Sequence, residues 1–66
     1  MNNITPKCEN FLKGYWDKNE LEKGLKDPIN FLRKVINPYL RNLRKKGKNV
    51  PLVHLSGDRN NPILDL

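Results

Sequence analysis

His54, Ser56 and Asp58 are the residue types of a hydrolase triad. They crowd into one five-residue stretch, whereas the hydrogen-bond relay of a triad is normally assembled from distant parts of the chain. The stretch reads as a loop with ordinary turn residues. Asp58-Arg59-Asn60-Asn61 offers oxygens to a calcium ion but lacks the glycine and the distant bidentate Glu of a calcium loop. Zinc needs about four ligands, and Cys8 and His54 are the only soft candidates. Cys8 itself falls among apolar residues at helical spacing and reads as a small buried hydrophobe. With no Gly-rich phosphate loop either, the sequence implies no catalytic residue, no metal site and no cofactor. The expectation is a protein that is not an enzyme.

The chemistry that stands out is cationic. The stretch "FLRKVINPYLRNLRKKGKN", residues 31–49, holds seven Lys or Arg and no acidic residue. Residues 1–27 hold five Lys against five Asp or Glu, residues 28–57 carry +7, and residues 58–66 sum to −1. All of the net charge of +6 therefore comes from one segment. Wound at about 100° per residue, Arg33, Lys34, Arg41, Arg44 and Lys45 fall in an arc of about 120° beside the apolar one. Solvated helices usually interleave Glu with Lys to gain i,i+4 pairs. This one does not, so the stripe reads as a surface for a polyanion.

The elements that must carry this stripe are set by caps and prolines. Thr5-Pro6 starts a first helix, with Thr as N-cap and Pro at the first helical position. Cys8, Phe11, Leu12 and Tyr15 share one side of it, with Trp16 at the border. The phase breaks near residue 17, where Asp17 and Glu20 form a capping-box variant that opens a second short helix with Leu21 and Leu25 inward. Gly24 weakens that helix by about 1 kcal/mol relative to Ala. Asp27-Pro28 repeats the cap-plus-proline start. Ile29, Leu32, Val35, Ile36, Tyr39, Leu40 and Leu43 then keep one apolar arc straight through Pro38, which predicts one long helix bent at the proline, with Gly47 as its stop. A separate helix over 38–46, capped by Asn37, is the rival reading.

Beyond Gly47 the chain changes character. Val50 to Leu55 is an apolar run interrupted by Pro51, read as an extended segment packed over the helices or as an edge strand. "SGDRNNP" is turn chemistry and "ILDL" a final apolar peg. The expected fold class is mainly α: a small three-helix domain over residues 1–49, and an extended C-terminal arm over 50–66 packing on it or on a partner.

At 66 residues the chain has room for one small core, and its 36% hydrophobic content argues for a folded chain. No apolar run approaches a membrane span and the start lacks a signal-peptide layout, so an intracellular, cytoplasmic location is expected. The leading functional expectation is a small basic nucleic-acid-binding or regulatory protein that contacts DNA or RNA phosphates through Arg33, Lys34, Arg41, Arg44, Lys45 and Lys48. The alternative is a protein-interaction module, an adaptor, an inhibitor or a small subunit, that meets its partner through Trp16, Val53 and Leu55. An anionic membrane surface is a third and weaker partner.

Overall fold

The computed structural model describes residues 3–66. Helix α1 is Pro6–Leu12, and its N-cap Thr5 accepts a hydrogen bond from the backbone N–H of Cys8. Helix α2 is Lys18–Gly24, capped by Asp17, which accepts from the N–H of Glu20 at 2.8 Å. Helix α3 begins as Pro28–Phe31 behind the cap Asp27, passes through a π-helical segment Leu32–Ile36, and continues as Asn37–Lys45. All three N-caps sit where the sequence puts them. The stop also holds: Gly47 has φ +89°, and the N–H groups of Gly47 and Lys48 reach the carbonyls of Arg44 and Leu43. Those two bonds make a Schellman motif, and the left-handed residue it requires is the glycine.

The π-helical segment is how α3 passes Pro38. A proline inside a helix has no N–H to give and its ring crowds the carbonyl four residues back, here that of Lys34. Just ahead of it the N–H of Asn37 bonds the carbonyl of Leu32, five residues back, which is the wider turn of a π-helix. The same turn helps the core. Pro28, Leu32, Ile36 and Leu40 are all buried and spaced four apart, and in a regular α-helix three such steps would carry the face round by about 120°. The wide turn takes up part of that drift. One helix therefore runs past the proline, as the apolar arc predicts, and the rival break at Asn37 does not occur. Val35 and Tyr39, which the regular wheel puts inside the arc, are left at its margin, 40% and 42% exposed.

The expected three-helix domain with an extended arm is corrected by the C-terminal segment, which folds into an antiparallel hairpin of β1, His54–Asp58, and β2, Asn61–Asp65. The class is helices plus a small sheet. Register runs from His54 opposite Asp65 to Asp58 opposite Asn61. The turn is held by the Asp58 carboxylate, which accepts from the N–H groups of Asn60 and Asn61 at 3.0 and 2.8 Å. Among the described residues no non-glycine has positive φ; the left-handed position in the hairpin falls at Gly57, φ +82°.

Residues before α1 complete the sheet. Ile4 pairs with Leu64 in a parallel bridge, the N–H of Leu64 bonds the carbonyl of Asn3 at 2.8 Å, and the N–H of Thr5 bonds the carbonyl of Leu64 at 3.0 Å. The Thr5 hydroxyl, besides capping α1, donates to Asp65 at 3.0 Å. These bonds tie the hairpin to the helices and explain Pro62. Strand residues alternate in the direction of their backbone groups, so Pro62 points the same way as Leu64, away from β1. Its missing N–H lies outside the β1 ladder, where a proline is tolerated.

Leu12, Leu21, Ile36, Leu40, Leu64 and Cys8 are the most buried side chains, and Ile4, Leu25, Phe31, Leu32, Leu43 and Val53 close the core around them. Among the described residues no helix is long and apolar enough to cross a membrane.

Two measurements check this packing. A Cβ on Gly24 would stand 2.6 Å from Cδ1 and Cδ2 of the buried Phe31 ring. Helix propensity alone makes Gly24→Ala stabilising by about 1 kcal/mol, whereas overpacking costs about 1 to 3 kcal/mol. The structure predicts that packing wins, so urea denaturation should show Gly24→Ala less stable than the parent. The second concerns Cys8, whose thiol is pushed up to about 11, chiefly by burial and secondarily by the charge of Asp65. An unfolded thiol titrates at about 8.5, so the folded state holds this proton more tightly. The contribution is intact below that pH and is lost as pH rises through about 11. The stability margin of the parent over Cys8→Ala should stay constant to about pH 8 and narrow above it. A disulfide reagent should label the folded protein far more slowly than the denatured one.

Candidate functional site

Helix α3 spans about 27 Å from Pro28 to Lys45 at 1.5 Å per residue, and its solvent side carries the cations. Arg33 and Lys34 lie within the π-helical segment; Arg41, Arg44 and Lys45 lie on the regular turns beyond it; Lys48 follows the stop. All six are exposed. Crossing the wide turn rotates the downstream trio as a unit relative to Arg33 and Lys34, and the trio keeps its own i, i+3, i+4 spacing. Its members therefore project from adjacent turns on one side.

The electrostatics of this side are uncompensated. Among the described residues the single ion pair joins Lys13 to Glu9 at 3.4 Å, both on the α1 side of the chain. None of the six stripe cations is paired with a carboxylate. Arg44 differs from the rest: its Nη2 donates to the carbonyl of Pro51 at 3.2 Å, which pins the segment after Gly47 back along the helix. Arg44 is thus partly a structural residue, which the sequence does not reveal because its partner is a backbone carbonyl seven positions away.

The residues expected to meet a protein partner are not brought together. Val53 is buried at 6% exposure in the core, so it is corrected from contact to packing residue. It is an apolar side chain next to the hairpin, with core rather than solvent above it. Leu55 is 37% exposed on β1, and Trp16 is half-buried beside α3. Trp16 belongs to another group. All five aromatic residues of the chain form one edge-to-face cluster, with Trp16 against Tyr39 at 5.1 Å, Phe31 at 6.0 Å and Tyr15 at 6.1 Å between ring centroids, and Tyr15 against Tyr39 and Phe11. Such pairs favour edge-to-face geometry because ring edges are positive and ring faces negative.

Beside this cluster, α2 and α3 leave an open groove of about 420 Å³, floored by Gly24 and Phe31 and rimmed by Lys23, Asp27, Lys34 and Val35. The sequence signal for it is Gly24: a glycine inside a helix marks close approach of another group. The rim mixes both charge signs and so selects no ligand charge.

His54, Ser56 and Asp58 sit at alternate positions of β1. The oxygen of Asp58 that makes hydrogen bonds is engaged by the turn N–H groups. Cys8, held protonated in the core, lacks the thiolate character of a nucleophile. Among the described residues no three His, Cys, Asp or Glu side chains converge as metal ligands.

The geometry thus supplies a cationic helix face, an aromatic cluster at its flank and an open groove beside it. No family model, no curated protein and no solved structure matches this chain.

Proposed function

We propose that the protein is a small nucleic-acid-binding module that contacts phosphates through the outer face of α3. The observation that carries this reading is the run of exposed, unpaired cations on a single helix, Arg33, Lys34, Arg41, Lys45 and then Lys48, in a segment with no acidic residue. An unpaired cation in water gains little by being there. Along a phosphate backbone each one displaces a condensed counterion, and the released ions supply the affinity. The face carries charge in a row, with Asn30 and Asn42 exposed on the same helix; charge of this kind is directed at phosphates and by itself carries little sequence choice.

A second reading, a protein-interaction module, is favoured by one observation. Tyr39 and Val35 stay 42% and 40% exposed beside Trp16 and the open groove, and aromatic side chains of this kind anchor interfaces. It differs from the first in predicting binding that depends on Trp16 and Tyr39 and hardly on salt.

The stripe is tested by charge reversal at positions that hold nothing else. Arg44 is unsuitable because of its bond to Pro51, so the pair is Arg41→Glu with Lys45→Glu. The control is Lys7→Glu with Lys18→Glu, an equal charge change at exposed positions in the first turns of α1 and α2, where acidic side chains suit the helix dipole. With about four cations on phosphates, log K falls against log salt with a slope of about −3.6 for a duplex. The stripe pair should lose most of the affinity and reduce the slope by about 2. The control should change both much less, with both variants melting within about 0.5 kcal/mol of the parent. Equal loss in both pairs would reduce the interaction to net charge. Loss on Tyr39→Ala with no salt slope would move the site to the aromatic cluster.

A further inference from the structure

The sheet has one closed edge and one open one. On β2 the N–H and carbonyl of Leu64 are taken by Asn3 and Thr5, on the side away from β1. Opposite residues of an antiparallel pair either bond each other or both point away. Leu55, directly opposite Leu64, therefore turns its N–H and carbonyl outward, and by alternation so does Gly57. Among the described residues no backbone bond reaches either from outside the hairpin.

Monomeric proteins blunt such an edge with lysine, proline or an inward charge. Here the chain does the reverse. Its 13 Lys and Arg leave the whole of residues 49–58 bare, and β1 reads His-Leu-Ser-Gly-Asp, without lysine, arginine or proline. On a molecule of net charge +6, the charged residue within this segment is Asp58, so the segment itself sets no positive charge between two copies.

The geometry points to a second copy of this chain as the occupant of the β1 edge, paired antiparallel about a two-fold axis at Ser56. In that register Leu55 lies opposite Gly57 of the second copy, so the outward backbone groups of each meet those of the other. The Leu55 side chain covers a position without one. His54 lies opposite Asp58, imidazole against carboxylate, twice across the axis. The pairing makes a continuous four-stranded sheet, and because the patch is self-complementary it closes as a dimer. This proposal is independent of what the stripe binds; it places two stripes in one particle.

Sedimentation of the full chain up to millimolar concentration should show a species of twice 7.7 kDa. Leu55→Pro removes one outward N–H while leaving the β1 to β2 bonds intact, and should give a folded monomer. His54→Asp puts like charges opposite each other and should weaken the dimer by about tenfold; it decides the matter if Leu55→Pro does not fold. Ser56→Cys should form an oxidised dimer readily, since opposed non-bonded residues stand about 4.5 Å apart between Cα atoms, within disulfide reach. Leu52→Cys, 70% exposed but off the axis, should cross-link far less. A parent that stays monomeric overturns the proposal, as does a dimer undiminished in folded Leu55→Pro and His54→Asp. A Leu52→Cys dimer that forms as readily as the Ser56→Cys dimer overturns the register.

Discussion

Pro38 withholds a hydrogen bond in the middle of the longest element, and the rest of the molecule depends on α3 continuing past it. A break there would separate Leu32 and Ile36 from Leu40 and Leu43, which lie on opposite sides of the proline and serve one core. It would also separate Arg33 and Lys34 from Arg41 and Lys45. The π turn over Leu32–Ile36 resolves both demands at once: it accommodates the proline and keeps the four-residue spacing of Pro28, Leu32, Ile36 and Leu40 in phase with the core. Interior prolines commonly cost about 3 kcal/mol, so the burial along α3 has to outweigh that strain.

The second dependency is the tie between the chain ends. Thr5 caps α1, donates to Asp65 and bonds Leu64 through its N–H, so one residue joins helix, hairpin and core. The chain has one cysteine, and among the described residues no metal ligand set is at hand; small scaffolds need such staples, and multiply bonded residues like Thr5 take that place. Leu64, fully buried, has both its N–H and its carbonyl held by residues 3–5 while it lies opposite Leu55 of β1.

What the sequence made legible was local. Thr5, Asp17, Asp27 and Gly47 act through neighbours within five residues, and each sits as its spacing implies. The hairpin was hidden because its signals are non-local. Pro62 argues against a strand until the partner on its far side is known, and the two-residue turn has its left-handed glycine at Gly57, before the turn instead of inside it. The exposure of Tyr39 and Val35 was missed because a wheel at constant 100° per residue cannot anticipate a π turn. In the stripe, exposure followed from charge, but the bond from Arg44 to Pro51 needed the fold-back of a segment with no helical period.

If α3 presents one phosphate-binding face, a backbone-amide shift titration of the protein with a short DNA duplex at low salt tests that most directly. A single face predicts perturbations both within the π turn, at Arg33 and Lys34, and beyond it, at Arg41 and Lys45, with Lys48 included and the Trp16 indole N–H unmoved. Perturbations confined to α1 and α2, or centred on Trp16 and Tyr39, would contradict it.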